Sequence, residues 1–326
     1  MSVKTESLTT TELKNQLNNE NVKLIDLRPV EAYNGWKMSG EIRGGHIKSA
    51  KSLPYKWSKY IDWMDIVKAK GLLPDHTLIL YGYDKEITEK LANQFKRAGF
   101  KKIWLYHNFV DEWSPNPVLP MENLKRYRQL VSAEWLRQLT ETKKAPEYDN
   151  TNYVICHAHY QNRGAYEQGH IPGAIDVDTN TLESPETWNR RSSPEIKKAL
   201  EDLGITHKTT VILYGRFSFP NNDDPFPGSS AGQLAAFRCA IIMMYAGVKD
   251  VRILNGGLQS WLDAGYKETT EDTRRKPVKD FGVQIPLCPQ YAVDLPEAKQ
   301  ILQSDHANLV SVRSWREFIG EVSGYN

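Results

Sequence analysis

Short apolar runs that end in glycine recur along this chain. Leu78-Ile79-Leu80-Tyr81-Gly82 is matched by Val211-Ile212-Leu213-Tyr214-Gly215. Neither run alternates polar with apolar positions, so each reads as a strand buried on both faces of a parallel sheet. A helical pattern follows each run, over 89–97 in the first case and 233–245 in the second. Both patterns close on Ala-Gly, at Ala98-Gly99 and Ala246-Gly247, where glycine supplies the left-handed residue that ends a helix. A further strand pattern comes next in each copy, over 102–106 and 250–254. The second copy is the longer one. Its extra residues fall in 216–230, RFSFPNNDDPFPGSS, where prolines, paired aspartates and asparagines predict a loop.

The openings of the units repeat as well. Thr9-Thr10-Thr11-Glu12 is a capping-box pattern that starts a helix, and Ser132-Ala133-Glu134-Trp135-Leu136 and Asp294-Leu295-Pro296-Glu297 start two more. Strand patterns follow at 23–28, 153–156 and 308–313. The chain therefore carries three openings and two complete units. Strands alternating with helices predict an α/β protein, each unit a mainly parallel sheet flanked by helices on both faces. The expected division is 1–122, 123–272 and 273–326, the last being a linker with the start of an incomplete third domain. The breaks near 123–130 and within 266–290 fit this, since TEDTRRKPVKDF is charged and contains proline. In such sheets the loop from a strand's carboxyl end into the next helix is the natural site, and its N–H groups favour an anion.

Composition narrows the function. Forty-two basic and 40 acidic residues leave a net charge of +2 with no basic block, which argues against nucleic acid. No run of about 18 apolar residues exists, so no membrane span is expected. The start, MSVKTESLTTTELKNQL, has no apolar signal core and reads as cytoplasmic, or as periplasmic once a leader has been removed. Three cysteines, Cys156, Cys239 and Cys288, make no disulfide framework, and the decisive question is whether one of them stands at a strand end.

The motifs carry a resemblance. Asp26-Leu27-Arg28 followed by Gly45-His46-Ile47, then Glu167-Gln168-Gly169-His170-Ile171-Pro172-Gly173-Ala174-Ile175, then Asn255-Gly256-Gly257-Leu258-Gln259-Ser260-Trp261, resemble tandem rhodanese-like domains over essentially the whole chain. The third opening, Ser311-Val312-Arg313-Ser314-Trp315-Arg316-Glu317-Phe318-Ile319-Gly320, is similar to the triple-rhodanese sulfurtransferases of bacteria. The resemblance implies thiosulfate sulfurtransferase chemistry. A cysteine at the end of the central strand takes the outer sulfur of thiosulfate, or of another sulfane-sulfur donor, and passes it to a thiol or cyanide acceptor, without metal or organic cofactor. Loop amides and a helix end lower the pKa of such a thiol.

That cysteine position is occupied here by Gly82 and Gly215. The two finished domains therefore read as catalytically silent, and the nucleophile is expected in a third domain beyond Asn326, with that domain as an intramolecular partner. On the substrate side the candidates are Arg313, Glu317 and Arg216. Cys156 reads as a structural cysteine at the position of Asp26 and Ser311, Cys239 as packed in a helix, and Cys288 as a linker thiol. Cys156, His157 and His159 lack a fourth ligand at zinc spacing. His46 and His170 read as hydrogen-bonded turn histidines, and Asp26 with Arg28 as a tie between strand end and loop. The 216–230 insert, with Phe217 and Phe219, is expected to cover the silent loop or to meet the third domain. The alternative is a rhodanese-like module without turnover that binds a small anion or a partner protein.

Overall fold

The computed structural model describes residues 6–216, 231–311, 313 and 315–322. The expected loop over 217–230, with Phe217 and Phe219, lies outside the described residues. Two units are distinguished, Met1–Asp149 with Arg252–Asn255, and Asn150–Val251 with Gly256–Asn326.

The strands of the first half are β1 (Glu6–Ser7), β2 (Val22–Asp26), β3 (His46–Ile47), β4 (Lys51–Ser52), β5 (Thr77–Tyr81), β6 (Lys102–Tyr106) and β7 (Met121–Glu122). Five of them form a sheet in the order β1-β6-β5-β2-β4, with every pair parallel. β3 and β7 make a separate antiparallel pair. Every residue of β5 is buried, as its unbroken apolar run requires. Alternation sends Leu78 and Leu80 to one core, with Leu91, Ala92 and Phe95 of the helix Lys85–Arg97. Ile79 and Tyr81 enter the other core, with Leu13 of the helix Thr10–Gln16 and with Phe109 and Trp113. Both faces are thus covered by apolar side chains. Each fully buried one is worth about 1.5–3 kcal/mol relative to exposure.

Local signals set the ends of these elements. Thr9 and Glu12 form the predicted capping box. β2 stops at Asp26, earlier than the 23–28 pattern implied, because the Arg28 N–H donates to the Asp26 carboxylate at 3.0 Å and turns the chain. The helix Lys85–Arg97 begins four residues before its apolar pattern, since the Asp84 side chain caps Ile87 N–H at 2.9 Å. It ends at Gly99, in left-handed backbone at φ +95.

The second half repeats the plan. Its strands are β8 (Leu130–Val131), β9 (Tyr153–His159), β10 (Ala174–Asp178), β11 (Thr210–Tyr214) and β12 (Asp250–Leu254), in the order β10-β9-β11-β12-β8. β9 pairs in parallel with both β10 and β11. β11, like β5, is buried throughout. The helix Ala231–Ala246 follows β11 and, apart from Arg238, carries no charge.

The third opening forms its helix, Leu295–Leu302, after Asp294. The strand expected over 308–313 is not formed across the described residues of that stretch, and Leu309 and Val310 are 71% and 74% exposed. A parallel strand needs a neighbour to complete its ladder, and the strands of the two large sheets already pair among themselves. No helix among the described residues is long and apolar enough to cross a membrane.

Candidate functional site

In the first unit β5 gives way to Gly82, Tyr83 and Asp84, and the helix Lys85–Arg97 starts at once. Gly82 is not held in left-handed backbone. A β-carbon placed there would meet Leu27 and Thr88 at 3.4 Å, an ordinary contact. The backbone therefore admits a side chain at this position, and the absence of one is a matter of residue identity.

Carboxylates crowd the same loop. Asp84 occupies the helix N-terminus as its cap. Glu41 accepts a hydrogen bond from the Tyr83 hydroxyl and pairs with Arg28. Arg28, 1% exposed, also grips Asp26, donates to the Gly45 carbonyl at 2.7 Å, and lies 4.0 Å over the Phe109 ring. Burial opposes its charge, but Asp26, Tyr81 and Glu41 outweigh it, so the guanidinium is held firmly protonated. Burial pushes the Glu41 carboxyl up, with Arg28 and Tyr83 pulling it back. Asp26 with Arg28 thus ties strand end to loop, as the residue pattern implied. The loop faces carboxylates where an anion would need donors.

In the second unit β11 leads into Gly215. Its N–H donates to the Gln233 side chain at 3.2 Å, and its carbonyl accepts from Leu258 N–H at 3.0 Å. Both backbone groups of this glycine are therefore engaged within the unit. The approach is close enough to fix the next glycine as well. Gly257 sits at φ +59, and a β-carbon on it would lie 2.5 Å from the Gly215 carbonyl oxygen. The candidate Arg216 is half-buried and donates to the Ala165 carbonyl at 3.3 Å and to Gln168 at 3.0 Å.

The ion pair of the first unit has no copy in the second. Register sets Asp26 opposite Tyr81 and His157 opposite Tyr214. His157 and His159 therefore stand where Asp26 and Arg28 stand. This corrects the placement of Cys156 at the Asp26 position. Cys156 pairs with Leu213 as Ile25 pairs with Leu80, one residue out of step and on the opposite face. The same alternation separates Cys156 from His157 and His159, so the three do not converge on one point. His159 Nε2–H donates to the Asp176 carboxylate at 2.7 Å, and Nδ1 accepts from Asn162 N–H. His157 is fully buried, and neither ring nitrogen has a partner. Burial, then the neighbouring histidines, push its pKa down to about 3.

The thiols lie elsewhere. Cys156 and Cys239 are buried, and burial pushes the Cys156 thiol up to about 12 and Cys239 further. Cys288 is half-buried, and its own N–H donates to the Tyr245 carbonyl. Of the third-opening candidates, Arg313 is exposed with its N–H on Ser311 Oγ at 3.3 Å, and Glu317 is half-buried on the turn Trp315–Phe318. His46 and His170 are hydrogen-bonded as expected, each with Nδ1 2.8 Å from a tyrosine carbonyl, but His46 lies in β3 and His170 in a bridge to Thr269 rather than in turns. Glu41, Tyr83 and Gln233 escaped the residue pattern because their contacts join positions 13 to 42 residues apart with no local motif. Asp84 was missed as well, because the helical pattern starts only at Glu89, and an Asp ahead of that run is the signal that could have placed the cap.

Comparison with known proteins gives the lineage. The model of the rhodanese-like domain matches residues 9–116 and 132–264. The thiosulfate sulfurtransferase YnjE of Escherichia coli (strain K12) is 36% identical over 315 residues, covering 95% of this chain and 68% of that protein. The sulfur carrier protein TtuD of Thermus thermophilus is 30% identical over 199 residues, 60% of this chain and 61% of its own length. A crystal structure of the anaerobic ergothioneine biosynthesis enzyme from Chlorobium limicola, in complex with its natural substrate trimethyl histidine, is 53% identical with a TM-score of 0.92, covering 99% of this chain and 76% of that one. The wild-type structure of EanB matches at 53% identity and a TM-score of 0.93, with 75% of its chain covered.

Proposed function

The chain belongs to the rhodanese-like domain family, and on that premise we propose that it is the nucleophile-free part of a sulfurtransferase whose acceptor is a trimethylated histidine. The reading is carried by the 53% identity that runs over 99% of this chain to the ergothioneine biosynthesis enzyme, against 36% to the thiosulfate sulfurtransferase YnjE. The donor is thiosulfate or another sulfane-sulfur compound. The identity of the acceptor replaces the thiol or cyanide that the wider family resemblance implied.

The chemistry needs one thiolate. It attacks the outer sulfur of the donor, expels sulfite when the donor is thiosulfate, and carries the sulfur as a persulfide. The acceptor's imidazole carbon then takes that sulfur. The S–S electron pair returns to the thiolate, and the carbon's hydrogen leaves as a proton to a base. Gly82 and Gly215 supply no thiol, Cys156 and Cys239 are buried, and half-buried Cys288 precedes the turn Pro289–Tyr291 rather than following a strand, so the thiolate is assigned to polypeptide outside these 326 residues. The longer chains of the relatives support that placement.

A second reading, a rhodanese-like module without turnover, is favoured by the carboxylates around the Gly82 loop and the engaged backbone of Gly215. Those features point such a module toward a protein partner rather than a small anion.

The test supplies polysulfide or thiosulfate with trimethyl histidine and quantifies the thione by mass spectrometry. The 326-residue chain alone is expected to stay at background, and the same chain extended through the coding sequence that follows to turn over. Robust product from the chain alone, lost in Cys156→Ser or Cys288→Ser, overturns the placement of the nucleophile. Thiocyanate from cyanide without thione from the extended protein overturns the acceptor.

A further inference from the structure

The polypeptide that runs on from the second sheet is bound to its own unit almost continuously. Arg275 donates to the Tyr153 carbonyl at 2.9 Å and to the Asn152 side chain at 3.0 Å. Val278 N–H donates to the Glu201 carbonyl and Phe281 N–H to the Glu201 carboxylate, each at 2.9 Å. Lys197 pairs with Asp280 at 2.9 Å. Phe281 is fully buried, and Leu287 lies so close to Gly247 that a β-carbon on the glycine would come within 2.6 Å of it. Cys288 N–H then closes on the Tyr245 carbonyl at 3.1 Å. A stretch held this often is a strap, not a flexible linker.

The last hold on this strap is a fork. Arg190 donates through both terminal nitrogens to the two carboxylate oxygens of Asp294, at 2.8 and 2.6 Å. Such a two-point contact fixes direction as well as distance. The guanidinium lies 4.5 Å over the Tyr245 ring. Arg190 is itself braced. It bridges to Glu183, which Arg238 holds at 2.8 Å, and the adjacent Arg191 N–H donates to the Leu182 carbonyl at 2.8 Å.

Asp294 stands immediately before the helix Leu295–Leu302, where an aspartate ordinarily accepts from the free N–H groups of its own helix. It makes no such bond, and both oxygens are turned to Arg190 instead. Beyond it the hold stops. No residue of the helix Leu295–Leu302 is buried.

We propose that Arg190 is a positioning residue: through Asp294 it sets the direction in which the helix Leu295–Leu302 leaves the second unit, and so holds the domain that carries the thiolate in place for transfer. The orientation is inferred from the fork, and its consequence for catalysis rests on the sulfur-transfer reading. The loops after Gly82 and Gly215 bring no thiol, so what this chain contributes is the placement of the polypeptide that does. Passing sulfur from a persulfide to a carbon needs the reacting atoms aligned at about 3–3.5 Å. Asp294 is largely exposed, so the pair adds little to stability, and its loss frees the direction of the helix while the second unit stays folded.

Spin labels read the orientation in the 326-residue chain, at Lys198→Cys on the helix Ser193–Asp202 and at Gln300→Cys on the helix Leu295–Leu302, with Cys288→Ser; Cys156 and Cys239 are buried and stay unlabelled. The distance distribution is expected to be narrow with Arg190 present and clearly broader in Arg190→Ala and Asp294→Ala. Arg190→Lys, which keeps the charge without the fork, is expected to stay broad, and Arg190→Asp combined with Asp294→Arg to be narrower than either change alone. A distribution equally broad with and without Arg190 overturns the clamp. Should Arg190→Ala fail to fold, Asp294→Ala carries the test. In the protein extended through the coding sequence that follows, Arg190→Ala is expected to lower kcat for the thione about tenfold while persulfide formation from the donor keeps its rate. Broad distances with undiminished kcat overturn the positioning role and leave the sulfur-transfer reading intact. Absence of thione from the unaltered extended protein overturns that reading, and the distances then decide the clamp alone.

Discussion

His157 stands in the second sheet where Asp26 stands in the first. Each is the residue paired in register with the tyrosine that ends the central strand, Tyr214 and Tyr81 respectively. The exchange alters the chemistry beneath the loop. Tyr81 donates to Asp26 at 2.7 Å and accepts from Ile47 N–H, so its hydroxyl is fully used. Tyr214 keeps the equivalent bond from Ile171 N–H at 2.9 Å, but beside it sits an imidazole packed at 5.0 Å between ring centroids. One unit holds its strand end by a buried ion network, the other by packed aromatic and imidazole rings.

Acid should therefore unfold the second unit selectively. The His157 ring has its pKa pushed down to about 3 in the folded state, below the ordinary 6.5. Between those values the unfolded chain binds a proton that the folded ring refuses, so stability rises with pH and is lost as pH falls below about 6.5. At about 1.4 kcal/mol per unit, the loss approaches roughly 4 kcal/mol near pH 3. Urea midpoints taken across this window should be flatter in His157→Phe, which keeps the ring and cannot be protonated. Equal slopes in the two proteins would sink the assignment.

The first unit should depend on Arg28 more than on any surface ion pair. Its removal leaves Asp26 and Glu41 buried together without a cation. Arg28→Met is expected to cost about 3–5 kcal/mol, the range for breaking one side of a buried pair. Arg28→Lys should recover little, because a single ammonium cannot reach Asp26, Glu41 and the Gly45 carbonyl at once. Denaturant titration of the three proteins decides, and a midpoint for Arg28→Met within error of the parent would remove the network from the stability of this unit.

The parts legible in the residue pattern were those whose signal is local. The glycine-ended runs at Gly82 and Gly215, the Thr9–Glu12 box and the Ala-Gly helix ends each sit within a few residues, and each formed as read. What the pattern could not fix was register. Tyr153 to His159 mixes apolar and polar residues that are nearly all buried, so no alternation marks which of Cys156 and His157 shares a face with Asp26. The strand expected over 308–313 shows the other limit. Leu309 and Val310 have strand chemistry, yet a parallel strand is made by its neighbours. In the candidate site, Gly82 and Gly215 were legible as the residues that follow the central strands, whereas the Glu41–Tyr83 contact and the Gln233 bond depend on tertiary placement.

Thiol accessibility should separate the three cysteines. Cys156 and Cys239 are buried, with burial pushing the Cys156 thiol up to about 12, so little thiolate forms at neutral pH. Cys288 is half-buried in the segment before Pro289. Iodoacetamide on the native chain should label Cys288 first and leave the other two for the denatured chain, as peptide mass spectrometry can read. Early labelling of Cys156 would contradict its place in the sheet.

The two loop glycine regions should respond differently to a methyl group. At Gly82 the added carbon meets Leu27 and Thr88 at ordinary distance, and the backbone is not left-handed. Replacement by alanine there also reduces the freedom of the unfolded chain, so Gly82→Ala should change stability by less than about 1 kcal/mol in either direction. At Gly257 the added carbon would lie 2.5 Å from the Gly215 carbonyl oxygen and 2.7 Å from the Gln233 side chain, on a backbone at φ +59. The strain of that conformation costs about 1 kcal/mol or more, and the backbone contact can be relieved only by moving the Gly215 loop. Gly257→Ala should thus cost at least about 2 kcal/mol in denaturant titration and break the Leu258 N–H bond to Gly215, visible as faster amide exchange at Leu258. If the two variants proved equally mild, the Gly215 loop would not be held by this contact, and the engaged backbone that separates it from an anion-binding loop would have to be given up.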